Sequence, residues 1–325
     1  MAEPGQPAAA TTPSQDPNVT YPLGSSQGES DRLQRQADEL AGDSEALLDR
    51  VGLLPGQSAI DLGCGPRGIV DLLAERVSPS GRVVGLDADP RHTAMAAEFS
   101  ALRGLAGVEI MTGDARKTGL PSDTFDLVHA SSLLANLADP ADVAAEMARL
   151  ARPGGWVASL EPDVEYARCY PPHPAFDRLC EVFTVAFRRN GADPWIGRRV
   201  PELLRSAGLT DVQVEARVQM YPAGNSRRTM RLDLARSLRS HVLEMNLAGA
   251  AEFDELDAAA RAHLEDPRTV VISGLLFLTW GRRPGHKPHD PSVGRAGARA
   301  RAALAKSGGP VTRMNDIPDG PEHGT

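Results

Sequence analysis

The sequence predicts an α/β protein: a doubly wound, mostly parallel sheet with helices on both faces. Three observations predict it. Short apolar runs alternate with stretches of helical periodicity between residues 58 and 160, and such alternation closes as a parallel sheet joined by crossovers. A glycine-rich turn, Gly63-Cys-Gly65-Pro-Arg-Gly68, stands directly behind the first apolar run. Asp89-Pro90 and Asp139-Pro140 each open a helical stretch, an N-cap residue followed by proline in the first turn.

Taken in order, Ser58–Leu62 is a short strand, and Ile69, Leu72, Leu73 and Val77 repeat at helical spacing behind it. Arg82–Asp87 is a second strand. Met95, Phe99 and Leu102 mark the apolar face of the next helix, which Gly104 ends. Val108–Met111 and Phe125–Ala130 are the third and fourth strands. Val143, Met147 and Leu150 line the following helix, and Trp156–Leu160 is the fifth strand. Val212–Met220 and Val270–Trp280 supply two more, with a helical segment at about 223–266 between them.

Composition bounds the rest. The chain has 325 residues, of which 41% are apolar, 4% aromatic and 24% charged, with a net charge of −8. A core of Ala, Leu, Val and Ile is therefore expected. Residues 1–20 and 284–325 are poor in large apolar groups and read as disordered tails. The C-terminal stretch from residue 282 carries eight basic and four acidic residues, so the folded body is more acidic than the whole. That acidity argues against a nucleic-acid partner. No apolar run reaches the length of a membrane span, and the first 30 residues lack the pattern of a signal peptide. A cytoplasmic protein, monomeric or homodimeric, is expected. Cys64, Cys169 and Cys180 give neither a disulfide framework nor a metal-ligand spacing, so no metal is expected.

In a doubly wound sheet, ligands bind at the carboxyl ends of the strands, where strand order reverses. Gly63 and Gly65 allow a tight turn and a close backbone approach there. With Gly68 they also fit a dinucleotide fingerprint. Asp87 ends the second strand, where a carboxylate suits ribose hydroxyls. These two features alone do not separate an NAD-binding oxidoreductase from a user of S-adenosylmethionine. Asp61 lies two residues before the first glycine, Gly113-Asp114-Ala115 follows the third strand, and Arg152-Pro-Gly-Gly155 turns into the fifth.

The ordered set resembles the class I S-adenosylmethionine-dependent methyltransferases, nearest to the ubiquinone-biosynthesis-like and natural-product-tailoring subgroup, over about residues 21–281. The resemblance implies a seven-stranded, Rossmann-like methyltransferase sheet whose last strand is antiparallel, with a helical lid at 21–50 and a helical cover at about 223–266 inserted in a domain of residues 51–283. It implies S-adenosyl-L-methionine as cofactor, with Asp61, Gly63 and Gly65 toward its methionine part, Asp87 and Ala88 at the ribose, Asp114 and Ala115 at the adenine, and Ser131 nearby. The third glycine is displaced to Gly68 relative to the family's usual GxGxG. Glu29, Arg32 and Gln36 share one helical face, from which Arg32 can pair with the cofactor carboxylate.

The implied reaction is in-line methyl transfer to a small, cyclic or aromatic acceptor through carbon, nitrogen or oxygen. Tyr21, His129 and His173 are the candidate catalytic groups, and Glu161, Asp163, Tyr166 and Trp195 the candidate acceptor-binding ones. His129 in an apolar strand also reads as a core histidine, and Asp126 as a structural carboxylate. A nucleic-acid methyltransferase, an NAD-binding oxidoreductase and a non-catalytic relative of the fold are the alternatives.

Overall fold

The computed structural model describes residues 27–285. Within them eight strands form one sheet: β1 (Ser58–Leu62), β2 (Arg82–Asp87), β3 (Val108–Thr112), β4 (Phe125–Ser131), β5 (Ala151–Asp163), β6 (Arg168–Tyr170), β7 (Thr210–Tyr221) and β8 (Val270–Arg282). The order is β3-β2-β1-β4-β5-β8, with β6 and β7 also paired to β8. Strands β1 to β5 are parallel, and β8 runs antiparallel to both β5 and β7. The sequence predicts seven strands. The eighth is the three-residue β6, which pairs with residues 270–272 of β8 while β5 pairs with residues 275–282. It resumes the line of β5 after a break at residues 164–167.

Nine helices flank the sheet among the described residues: α1 (Gln27–Val51), α2 (Val70–Val77), α3 (Pro90–Leu102), α4 (Pro140–Leu150), α5 (Pro174–Arg189), α6 (Val200–Ser206), α7 (Met230–Ser237), α8 (Arg239–Glu244) and α9 (Ala250–Glu265). Successive strand residues face opposite sides, and the core divides accordingly. Ile60, Val84, Val128 and Val157 pack with Val143, Met147 and Leu150 of α4 and Val200 and Leu204 of α6. Ala59, Val83, Leu127 and Ala158 pack with Val70, Leu73 and Val77 of α2 and Leu40, Leu47, Leu48 and Val51 of α1. The α1 residues recur at helical spacing, which gives the helix one apolar stripe. Each fully buried leucine there contributes about 2 kcal/mol of transfer free energy.

The third helix differs from its predicted pattern. Asp89 caps α3 through a bond from the Arg91 N–H at 2.9 Å, with Pro90 behind it, as the sequence signals. Its buried face, however, is His92, Thr93, Ala96 and Ser100, while Leu102 is 81% exposed. The helix thus lays small and polar side chains on the sheet, and only Phe99 of its apolar set joins that core.

A third core lies outside the sheet layers. Phe176, Leu179, Phe183 and Phe187 of α5 pack with Leu232, Leu238 and Val242 of α7, α8 and the turn between them, and with Phe253 and Leu264 of α9. The segment between β7 and β8 therefore forms a helical cover, and α5 forms its other wall. After β1 the chain passes to β2 and β3 on one side, then crosses to β4 on the other. The loops leaving β1 and β4 diverge there, which opens a crevice at the strand ends.

Candidate active site

The glycine-rich loop is fixed from below by one carboxylate. Asp61, at the end of β1, is 1% exposed. Its Oδ1 lies 2.7 Å from Nδ1 of His129, its register partner on β4. Its Oδ2 accepts the Ile69 N–H at 3.0 Å, which folds the loop back over the strand. Gly68 makes that contact possible: its φ is +56°, and a Cβ there would lie 2.2 Å from Asp61 Oδ2. Gly63, at φ +68°, presses against Leu133, which a Cβ would meet at 2.8 Å.

The ends of the neighbouring strands supply further carboxylates. Asp87 accepts the Gly65 N–H at 2.8 Å and the Asp89 N–H at 2.9 Å. The carboxylate of Asp87 raises the pKa of His92, whose Nδ1 is 3.4 Å away. Asp114 follows β3 and accepts bonds from the Arg116 backbone and guanidinium. Burial pushes the Cys64 thiol well above its ordinary pKa, so it stands in the loop as a neutral group.

The loop after β4 is held in a similar way. Glu161 of β5 is fully buried and accepts the N–H groups of Leu133, Leu134 and Ala135 at 3.0, 2.9 and 3.2 Å. Burial pushes its carboxyl up to about 8, against the opposing pull of those three donors. Above this loop, Gln36 of α1 donates to Ser132 Oγ at 3.3 Å. Arg32, a turn earlier, is paired with Glu29 and donates to Gln36.

One cavity of about 610 Å³ joins these features. At the strand ends it is lined by Asp61, Gly63, Gly65, Asp87, Ala88, Asp114, Ala115 and Ser131, with Arg32 at its lid. It continues under the cover between Leu33, Ala37 and Leu40 of α1, Phe183 and Phe187 of α5, and Arg227, Met230, Arg231 and Leu234.

The comparisons with known proteins agree with this architecture. A family of methyltransferase domains matches residues 60–159. Nocamycin O-methyltransferase of Saccharothrix syringae is 44% identical over 117 residues, 36% of this chain and 41% of that protein, so the chain spans less than half of this relative's length. A demethylmenaquinone methyltransferase of Halalkalibacterium halodurans is 31% identical over 186 residues, 52% of this chain and 74% of that protein. The chain belongs to the class I S-adenosylmethionine-dependent methyltransferases. A provisionally assigned methyltransferase from Bacillus halodurans shares the fold, at 16% identity and a TM-score of 0.52, over 75% of this chain and 99% of that one.

The strand-end residues fit the cofactor of this methyltransferase family. Gly63 and Gly65, at φ +68° and +58°, bare the backbone toward the cavity. Asp87 turns its carboxylate into the same space, where ribose hydroxyls can donate to it. Asp114 and Ala115 line the neighbouring wall, where an adenine can lie.

The other residues singled out from the sequence lie elsewhere. His129 is fully buried under the glycine loop, where its bond to Asp61 makes it a brace. His173 precedes α5 and stacks on His263 at 4.6 Å, outside the residues that line the cavity. Glu161 is engaged by backbone donors. Asp163 is buried and held by Arg198 at 2.5 and 2.9 Å. Tyr166 is 50% exposed, and Trp195 carries Arg188 on its ring; neither lines the cavity. Tyr21 lies outside the described residues. Asp126 is a structural carboxylate that accepts the Ser58 N–H and hydroxyl at 2.9 Å and pairs with Arg152. Sequence reasoning missed Phe183, Phe187, Arg227 and Arg231. The step of four between Arg227 and Arg231, at the start of the segment that reads as helical, was the available signal.

Proposed function

We propose that this methyltransferase moves the methyl group of S-adenosylmethionine to a small molecule held under the helical cover. The observation that carries this reading is the continuity of the cavity: the strand-end residues suited to the cofactor open directly into a chamber lined by Phe183, Phe187, Leu234 and Leu276. The chamber's apolar, ring-bearing wall supports a cyclic or aromatic acceptor. The names of two relatives, an O-methyltransferase for nocamycin and a methyltransferase for demethylmenaquinone, support a small-molecule acceptor as well.

The cofactor supplies a methyl group already activated on a sulfonium. The protein's task is alignment and exclusion of water. Asp87, Asp114 and the glycine backbone orient the donor, α1 closes over it through Gln36 and Arg32, and the cover fixes the acceptor on the far side. Calorimetric titration tests the reading. Saturable binding of S-adenosylmethionine and S-adenosylhomocysteine, with none of NAD, is expected; binding of NAD in their place would overturn it.

A further inference from the structure

Two arginines enter the cover half of the cavity one helical turn apart. Arg227 lies in the turn Ser226–Thr229 and Arg231 in α7, and both line the cavity. They are 7% and 5% exposed. Arg228, between them, has a different role: its guanidinium donates to the carbonyls of Tyr221, Leu264 and Asp266 and ties the cover together.

The cavity pair is far less engaged. Arg231 donates through Nη2 to the Ser273 carbonyl at 2.7 Å, and its buried Nε has no hydrogen-bond partner among the described residues. No carboxylate of the described residues forms an ion pair with it. Asp163 acts on it only at a distance and is itself held by Arg198. Arg227 donates to the Met230 sulfur at 3.1 Å and forms one ion pair, its Nε 3.3 Å from the Glu39 carboxylate. Its Nε and Nη1 are buried without a hydrogen-bond partner among the described residues. The guanidiniums sit over the rings of Tyr221 and Phe183, at 5.2 and 5.5 Å. Tyr221 donates its hydroxyl to Gln219, and burial raises both Tyr221 and Cys180 to about 12, so neither supplies a negative charge. Burial also lowers the pKa of Arg231, as expected for a cation short of anionic partners.

Burying a guanidinium without a matched anion, as at Arg231, costs free energy; Arg227 shares Glu39 but keeps its Nη1 unbonded, and the fork of a guanidinium matches a carboxylate in two parallel bonds. Beside Ser44 of α1, the chamber wall around them is mainly apolar: Leu40, Phe183, Phe187, Met230, Leu234 and Leu276. We propose that Arg227 and Arg231 form an anion seat, and that the acceptor is an apolar molecule carrying a carboxylate, its body against Phe183 and Phe187 and its acid group on the two guanidiniums. This assignment presupposes that the chamber is the acceptor site of the proposed methyl transfer.

Acid and amide pairs of one shape test it: 2-naphthoate with 2-naphthamide, indole-3-acetate with indole-3-acetamide, and octanoate with octanamide. Each is titrated into the full chain, with and without S-adenosylhomocysteine. At least one acid should bind about tenfold or more tightly than its amide, and added salt should weaken it. Arg231→Met and Arg227→Met should erase the preference, and Arg231→Lys should restore part of it. Retained S-adenosylhomocysteine binding shows that a variant is folded. The seat is overturned if no acid is preferred to its amide by the unaltered chain, or if both Met variants keep the preference. The first comparison needs no variant, so a variant that fails to fold does not shield the proposal. Loss of all S-adenosylhomocysteine binding with the acid preference intact would count against the methyl-transfer reading and leave the seat standing.

Discussion

The strand-end half of the cleft and the cover half share one cavity but are built by different means. At the strand ends, Asp61, Asp87 and Ser131 close their strands and Gly63, Gly65 and Asp114 follow within a few residues, and the parallel pairing of β1, β2 and β3 brings these ends to one edge of the sheet. Backbone bonds to carboxylates hold this half: Asp61 to Ile69, Asp87 to Gly65, Glu161 to three successive N–H groups. Under the cover, side chains arrive from α1, α5, the 226–229 turn and α7, which lie up to about two hundred residues apart in sequence. Apolar packing and buried guanidiniums hold that half. The first half is a rigid cradle whose geometry the sheet dictates. The second is a chamber whose shape depends on which side chains the cover carries, so it is the half that can be retuned without disturbing the fold.

Three substitutions probe this contrast. Gly68→Val should have the largest effect. A left-handed φ of +56° and the 2.2 Å approach to Asp61 leave no room for a β-branched side chain, so the loop must break from its brace. A loss of about 3 kcal/mol in urea denaturation is expected, together with loss of S-adenosylhomocysteine binding. A variant of unchanged stability would show that the strand-end half is not the rigid cradle described.

Asp87→Ala should come next. It removes the acceptor that faces the cavity from β2 and releases the Gly65 N–H. S-adenosylhomocysteine should bind about 10- to 100-fold more weakly by calorimetry, while the acid-over-amide preference of the cover half survives. If both fell together, the two halves would be one coupled site.

Tyr166→Ala should have the smallest effect. The ring is half exposed, is touched by Arg198 at 5.8 Å and does not line the cavity. Stability should change by no more than about 0.5 kcal/mol, and ligand binding should not change. A marked loss of ligand binding would place this side chain in the acceptor chamber after all.

The contrast also explains which residues the sequence disclosed. Gly63, Gly65, Asp87 and Asp114 were legible because a strand followed by a loop has one meaning in a doubly wound sheet: the loop residue stands at the carboxyl edge. The same rule misdirected attention to Glu161 and Asp163, which also leave a strand at its carboxyl end. Both are turned into the protein, one to cap a backbone loop and the other to meet Arg198. Tyr166 and Trp195 drew attention because aromatic residues are rare in this chain. In the fold, however, it is Phe183 and Phe187 of α5 that reach the cavity, while Tyr166, in the break between β5 and β6, is half exposed. His129 shows the same ambiguity resolved: a histidine in an apolar strand needs one buried partner, and Asp61 is beside it in register.

By itself, the sequence determined the α/β class, the succession of strands and helices, the capped third helix and the residues at the strand ends, because these follow from local periodicity, turn chemistry and the one-dimensional rule that a loop follows its strand. Only the tertiary structure decided which side chains meet under the cover, that Arg227 and Arg231 face a cavity while Arg228 faces carbonyls, and that the carboxylates of β5 turn into the protein, Glu161 to a backbone loop and Asp163 to Arg198. Those outcomes depend on how helices distant in sequence rotate as they pack, and local sequence does not encode that rotation.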